Sequence, residues 1–486
     1  MGVQNIIGRR LELAFLDQIW QSKEAEFVAV YGRRRVGKTH LIREYFSNKG
    51  VYFELTGIKD GAMGDQLLNY TQSLADTFYS GVALQPPASW REAFNRLTDE
   101  IAKQSPRKKI TIFLDELPWL ASKRSRFIQN LDYFWNTRWS RMPNLKLIVC
   151  GSAASWMLDN LINAKGGLYN RLTNTLLLQP YDLSQTKEFL AARQIKLSHK
   201  QILDTYMITG GIPHYLKQIK KSKSAVQNIN DMCFKQDGLL YDEFNRLFAS
   251  LFENAELNLN IVREIAKARY GLSIQTLSQR LGKKTGGTFT KRLSELEAAG
   301  FIQKYLPYGR SKRDQYYRVI DEYTYFYLNW VEPYKEQSVR DTKANYWHLA
   351  AKSPQWRSWS GYTFESICQK HIHKIRQALN LMDIHCQMGH WQYSPIAGSN
   401  DNGAQIDLLI ARDDGIVSLC EIKYSNNKLQ IDKKIAKNLL NKIDVYQKQF
   451  PDAVQVSVVL VSTMGIKANV WSDEIIDSVI ELEDLF

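Results

Sequence analysis

Tyr31-Gly32-Arg33-Arg34-Arg35-Val36-Gly37-Lys38-Thr39 follows the apolar run Phe27-Val28-Ala29-Val30 and leads into Leu41-Ile42-Arg43-Glu44-Tyr45-Phe46. A Gly, four residues, then Gly-Lys-Thr, set between a buried strand and a helix, is the pattern of a phosphate-binding loop. Its glycines let main-chain N–H groups wrap phosphates at a helix N-terminus, where the helix dipole favours negative charge. Lys38 is expected to reach the β- and γ-phosphates, and the Thr39 hydroxyl to sit on Mg²⁺. The loop predicts an α/β unit that binds ATP with Mg²⁺.

Upstream, Ile7-Gly8-Arg9-Arg10-Leu11-Glu12-Leu13 opens a helix running through Trp20. Downstream, Ile110-Thr111-Ile112-Phe113-Leu114 ends in Asp115-Glu116. An acidic pair closing an apolar strand some way after such a loop is a Walker B pattern: Asp115 for the Mg²⁺ shell, Glu116 to polarise the attacking water. The strand Leu145–Cys150 ends in Gly151-Ser152, at the carboxyl edge where α/β sheets bind ligands. Ser152 is therefore a candidate γ-phosphate sensor, with a helix N-cap as the equal alternative. After a helix over 153–163 and Gly166-Gly167-Leu168-Tyr169-Asn170, Arg171 precedes the strand Thr175–Leu178. It could supply charge to a phosphoryl transition state, in cis or to a neighbouring subunit of a homo-oligomer, or form a structural ion pair.

Composition narrows the rest. At 486 residues the chain exceeds one core, and 44% hydrophobic residues is ordinary for globular protein. No apolar run approaches the roughly 18 residues that span a bilayer, so no membrane partner is expected. The five scattered cysteines include no Cys-x-x-Cys pair, which argues for a reducing, cytoplasmic setting and against a zinc site. The net charge of +14 is uneven: residues 260–320 carry 13 Lys/Arg against 4 Asp/Glu. A basic block on a folded element implies a polyanion partner.

The GRxxEL box with Gly8-Arg9, the loop Gly32–Thr39, Asp115-Glu116, the sensor strand and the turn Gly210-Gly211-Ile212-Pro213-His214-Tyr215 together resemble the AAA+ superfamily. Within it they look most like archaeal-type ATPases related to origin-recognition and STAND proteins. The resemblance covers about residues 1–255 and implies a P-loop core over 1–180 and a helical lid over 181–255. No second sensor Arg stands in the Gly210–Tyr215 turn.

Residues 256–335 predict three helices (258–268, 274–281 capped by Ser273, and 289–299 closed by Gly300) and a hairpin from 301–305 and 315–319. This order resembles a winged helix-turn-helix. Lys291 and Arg292 on its third helix and Arg310, Lys312 and Arg313 in its wing would meet nucleic acid, DNA first, with protein docking as the competing reading. The aromatic-rich stretch Tyr323–Trp347 and the tryptophans Trp356 and Trp359 predict packing.

Over 336–486 the pattern changes again. Gln405–Ala411 is an apolar strand with an embedded Asp407, and Ile416–Lys423 ends in Glu421-Ile422-Lys423. Residues two apart share a strand face, so Glu421 and Lys423 project together and Asp407 can lie beside them. Two carboxylates make a hard-oxygen Mg²⁺ site, and the adjacent Lys can stabilise a phosphate under attack. The order resembles the PD-(D/E)xK restriction-endonuclease-like fold, with Ile406 where a Pro is usual. That resemblance implies that Glu365, in Thr363-Phe364-Glu365-Ser366, joins Asp407 and Glu421 around the metal. His371, His373, His385 and His390 lack finger spacing for zinc and predict structural or nucleic-acid-facing roles.

The expectation is an α/β multidomain protein: a P-loop ATPase whose nucleotide state controls a Mg²⁺-dependent, DNA-directed nuclease. The rival is an ATP-switched DNA-binding or signalling module whose nuclease fold is a docking surface.

Overall fold

The structure, a computed structural model, describes residues 6–122, 124–163, 170–252, 255–310, 315–337, 346–395, 402–451 and 455–486. Lys312, Arg313 and Gly166-Gly167-Leu168-Tyr169 lie outside the described residues. The chain divides into two compact units. One holds Met1–Tyr181 with Ile212–His214 and Ser294–Gly300, and the other holds Asp182–Gly211, Tyr215–Leu293 and Phe301–Phe486.

In the first unit β1 (Glu26–Tyr31), β2 (Val51–Thr56), β3 (Ile110–Asp115), β4 (Leu145–Gly151) and β5 (Asn174–Leu177) form a parallel sheet ordered β2-β3-β4-β1-β5. The three central strands are apolar along their length and buried on both faces, as a sheet covered by helices requires. The helices Met63–Phe78, Trp90–Ala102 and Phe127–Thr137 supply an aromatic core in which Phe94 meets Trp90, Phe127, Phe134 and Trp139 at ring-centre distances of 5.3–5.8 Å. The Trp139 indole N–H donates to Thr98 Oγ1 at 2.9 Å, so burying this ring strands no donor. The helix expected over 153–163 is instead one α-turn, Ala154–Met157, followed by a π-turn, Leu158–Ile162.

In the second unit, residues 182–251 are helical, and the left-handed Gly210 ends the helix His199–Thr209. The helices Ala255–Ala266, Ile274–Arg280 and Gly287–Ala298 follow. A small antiparallel sheet joins β6 (Leu272–Ser273), β7 (Ile302–Tyr305) and β8 (Tyr316–Val319) in the order β6-β8-β7. Ser273 caps its helix by accepting the Thr276 N–H. The aromatic stretch packs within this unit: Trp347 stacks on Phe234 at 5.2 Å and 12°, and Tyr327 on Phe244 at 4.6 Å and 19°.

The last sheet is mixed. β9 (Cys386–Tyr393), β10 (Ala404–Arg412) and β11 (Ile416–Lys423) run antiparallel, while β13 (Gln455–Ser462) and β15 (Ser478–Glu481) continue parallel to β11. A short parallel pair, β12 (Leu429–Gln430) with β14 (Ile466–Lys467), lies beside it. The helix Lys433–Gln449, capped by Asp432, packs on β10 through Val445 and Tyr446.

Two helices, Pro354–Lys370 and Ile372–Ala378, meet at a break at His371. His371 is 1% exposed. Its Nδ1 faces the Ile367 carbonyl at 2.8 Å, and its Nε2 accepts the Leu183 N–H at 3.0 Å. Acceptance at Nε2 needs the neutral ring, and burial pulls its pKa down to about 4. On acidification the unfolded chain takes this proton below about pH 6.5, while the folded chain refuses it until about pH 4. Stability is therefore complete above that range and falls across it, by on the order of 3 kcal/mol. His371→Asn should flatten the fall in urea midpoint between pH 7 and 4; an unchanged slope would contradict this.

Candidate functional site

The phosphate-binding loop leaves β1 at the carboxyl edge of the parallel sheet. Gly37 takes φ +96° as it enters the helix Lys38–Phe46. Gly32 takes φ +133°, and any Cβ there would lie 2.5 Å from the Leu178 carbonyl oxygen, so no larger residue fits. The Lys38 ammonium is 6% exposed and donates to the carbonyls of Gly32 and Arg33 at 2.9 and 3.0 Å. Burial pulls its pKa below the usual lysine range. Thr39 Oγ1 donates to Asp115 Oδ2 at 2.9 Å, and Asp115 Oδ1 is buried with no hydrogen-bond partner among the described residues. Burial raises the pKa of this carboxyl. A hydroxyl and a spare buried carboxylate oxygen at the end of the loop are the donor set that Mg²⁺ takes.

Glu116 stands at φ +50° and ψ +50°, left-handed backbone that a non-glycine residue seldom adopts and that clusters at functional sites. Its Oε2 accepts both the main-chain N–H and the hydroxyl of Ser152, at 3.1 and 2.9 Å. Ala153, not Ser152, is the N-cap of the following helical turn. Ser152 is thus brought to the carboxylate, and the alternative of a capping role falls away. Ser152→Ala should lower ATP turnover about fivefold for the roughly 1 kcal/mol of a lost hydrogen bond, with nucleotide affinity unchanged; a loss confined to affinity would contradict this.

Two further expected nucleotide-site residues are Arg9 and Arg171. Arg9 is buried, donates to the carbonyls of Val36 and Gln179 at 3.1 and 2.8 Å, pairs with Glu12 at 2.9 Å, and lies 4.3 Å over the Tyr181 ring. It braces the loop from behind, just after Gly8 turns at φ +69°. Arg171 is exposed in the turn before β5. Because β5 pairs parallel to β1, Val28 with Asn174 and Tyr31 with Leu177, Arg171 sits at the amino edge of the sheet, opposite the loop. The topology excludes a contribution in cis.

The other cluster lies on the β10–β11 hairpin. Leu408 pairs with Cys420, so Asp407 falls opposite Glu421 on the same face. Asp407 sits at an irregularity in the β9–β10 register between Ile406 and Leu409, the kind of kink that re-aims a side chain. Its Oδ2 accepts the Ile422 N–H at 3.1 Å, and its Oδ1 accepts from Gln405 at 3.3 Å. Burial and the neighbouring Glu421 raise its pKa. Glu421 is clamped by two ammoniums, Lys423 on Oε1 and Lys442 on Oε2, each at 2.5 Å. Burial opposes its charge, but the two lysines hold its pKa below the usual range. The same pairing, against burial, keeps Lys423 above its usual range. Glu365, on the helix Pro354–Lys370, pairs with Arg269 at 2.9 Å, and burial and Asp407 push its pKa up to about 8.

The three carboxylates are neighbours but not a cage. Among the described residues no three His, Cys, Asp or Glu side chains converge to hold a metal ion. Each acid of the expected metal set Glu365, Asp407 and Glu421 has its own local partners in the chain, and for Glu365 and Glu421 these are protein cations. Their oxygen chemistry still suits Mg²⁺.

Residues 6–219 match an ATPase domain found predominantly in Archaea. Residues 327–438 match a domain of archaeal and bacterial proteins of unknown function. An uncharacterized protein of Methanocaldococcus jannaschii is 25% identical over 460 residues, 91% of this chain and 94% of its own length. An uncharacterized ATP-binding protein of the same organism is 42% identical over 50 residues, 10% of this chain and 85% of its own. Among solved structures, the Walker-type ATPase of Pyrococcus abyssi aligns with a TM-score of 0.47 at 18% identity, over 67% of this chain and 96% of that one. The Aeropyrum pernix ORC2 protein in ADPNP–ADP complexes aligns with 0.43 at 17%, over 71% and 97%.

Outside the ATPase domain, Lys291 and Arg310 are exposed and Arg292 is half-buried. Phe289, Leu293 and Leu296 of the same helix turn inward, which leaves Thr288, Thr290 and Lys291 to solvent. Sequence reasoning missed Lys442 and Arg269. Each reaches its place through chain-distant packing, and no local pattern marks it. No helix among the described residues is long and apolar enough to cross a membrane.

Proposed function

We propose that the chain couples ATP hydrolysis to metal-dependent cleavage of nucleic acid, DNA first. The observation that carries this reading is the β10–β11 hairpin. It presents Asp407, Glu421 and Lys423 on one face, beside Glu365, in a chain that also carries an ATPase domain.

In the ATPase domain, Lys38 would exchange its carbonyl partners for β- and γ-phosphate oxygens. Glu116, fixed by Ser152, would accept a proton from the attacking water. Mg²⁺ held through Thr39 and Asp115 would neutralise phosphate charge. Arg171, at the amino edge of the sheet, would act only on a neighbouring subunit, which is why we infer a homo-oligomer.

At the hairpin, Lys423 stays charged and would meet the negative charge that builds on a phosphodiester under attack. Asp407 and Glu421, joined by Glu365, would hold Mg²⁺, whose chemistry is to acidify water and neutralise the phosphate. Lys442, the second cation on Glu421, would hold that carboxylate ionised and oriented.

We also propose that the helices over 255–298 and the β7–β8 hairpin form a winged helix that holds the DNA, as the exposed Lys291 and Arg310 support. Replacing Arg310, Lys312 and Arg313 together with Ala should weaken binding to all DNA sequences. It should also flatten the slope of log K against log salt by up to about three. An unchanged slope would move this element to protein docking.

One observation favours a second reading. The absence of a converged three-carboxylate cluster among the described residues fits a nuclease fold that serves as a docking surface. Isothermal titration of Mn²⁺ into the Lys38→Ala protein separates the two. Binding lost in Asp407→Asn supports cleavage chemistry, and no binding above that variant supports docking.

A further inference from the structure

A partly open cleft with about 760 Å³ of free space, mouth included, lies within the second unit. Its walls come from the Arg269-Tyr270 turn and the β7–β8 hairpin on one side, and from the helix Pro354–Lys370 and β9 on the other.

Its lining is specialised. The Arg269 guanidinium lies 3.7 Å from the Tyr362 ring centre and 4.7 Å from that of Tyr270, and Tyr270 stacks on His390 at 4.5 Å and 14°. These layered flat groups form a wall suited to a planar heterocycle. Arg318 lies 5.0 Å over the Tyr305 ring. Two polar atoms in the lining have no partner among the described residues: Arg318 Nε, a donor, and Nε2 of His390, a residue only 8% exposed whose ring lies against the main chain of Ile406 and Asp407. A buried guanidinium N–H and a buried ring nitrogen without such partners are costly unless a ligand or water meets them.

The cleft also shares a wall with the carboxylate site. Glu365 lines it. Gln369 accepts from Arg318 and reaches the main-chain carbonyl of Asp407 at 3.4 Å.

We propose that this cleft receives one unpaired nucleotide of the nucleic-acid strand, its base lying against the Arg269–tyrosine layers and its edge read by Arg318 Nε–H and His390 Nε2. The site thereby selects strands with a frayed, flapped or extruded nucleotide over continuous duplex, since a stacked base cannot enter an enclosed site. This rests on the nucleic-acid reading of the neighbouring carboxylates.

The test uses the full chain in EDTA, so that binding is measured without cleavage. DNA duplexes carrying 2-aminopurine, either in an unpaired flap or fully paired, are titrated with protein. The expected result is tighter binding of the flap and quenching of its fluorescence on stacking. His390→Leu and Arg318→Lys should each weaken flap binding about tenfold and leave duplex binding and ATP turnover unchanged. Arg318→Lys keeps the charge while removing the Nε donor, and matched melting temperatures exclude misfolding. Equal affinity for flap and duplex, or a preference that survives both variants, overturns the proposal. Adding Mg²⁺ separates it from the nuclease reading: flap preference without cleavage leaves the cleft standing alone, and cleavage without flap preference does the reverse.

Discussion

Glu116→Gln will leave ATP bound and stop its turnover, with kcat down by roughly a hundredfold or more, the usual contribution of a positioned general base. The amide keeps an oxygen that can accept from Ser152, whose N–H and hydroxyl hold Glu116 now. The fold and the left-handed turn should therefore survive, while the proton acceptor is gone. Lys38→Ala is the companion variant. Its ammonium is buried on two loop carbonyls with nothing else to do there, so removing it should abolish nucleotide binding itself. Equilibrium binding of a fluorescent ATP analogue with steady-state phosphate release checks both. Wild-type turnover in Glu116→Gln would sink the assignment of the base.

The second large effect is at the hairpin. Asp407→Asn and Glu421→Gln should each reduce phosphodiester cleavage to background, because each removes negative charge from a Mg²⁺ shell. Lys423→Ala should leave metal binding intact and still lower cleavage by two orders of magnitude or so, as losing one stabiliser of transition-state charge does. Glu421 sits between Lys423 and Lys442. Its loss leaves the half-buried Lys423 and Lys442 ammoniums without this partner, which costs some stability as well. Asp407→Asn, whose partners are main-chain and amide N–H groups, is the cleaner variant. Gel assays on labelled DNA and RNA, with melting temperatures alongside, measure both effects. Undiminished cleavage in Asp407→Asn would place the activity elsewhere in the chain.

What could be read from the sequence was what is contiguous. The phosphate-binding loop needs nine successive residues, and their order already dictates the turn, the glycines and Lys38. The strand before Asp115 and the hairpin carrying Asp407 and Glu421 are likewise continuous apolar runs, so their ends and faces follow from periodicity. Arg171 could be placed in sequence beside a strand but not at an end of the sheet, because only the parallel pairing of β5 with β1 sets it opposite the loop. The β9 strand, Cys386–Tyr393, carries Gln387, Gly389, His390 and Gln392 and has only two buried positions, so an edge strand of this composition gives no apolar signal. Lys442 and Arg269 lie 21 and 96 residues from the acids they neutralise. Nothing in a helix with many lysines, or in a turn, marks which cation will pack inward. The two-helix break at His371 also escaped, since the hydrogen bond that fixes it comes from Leu183, 188 residues away.

The central claim is that ATP turnover governs cutting. The most direct measurement is the cleavage rate of end-labelled flap DNA by the full chain in Mg²⁺, with ATP, with ADP and without nucleotide, in wild type, Glu116→Gln and Asp407→Asn. The account predicts a wild-type rate that changes with nucleotide, a Glu116→Gln rate locked at the ATP-bound value whenever ATP is present, and no cutting by Asp407→Asn. Cutting at one rate under every nucleotide condition, or no cutting under any, would contradict it.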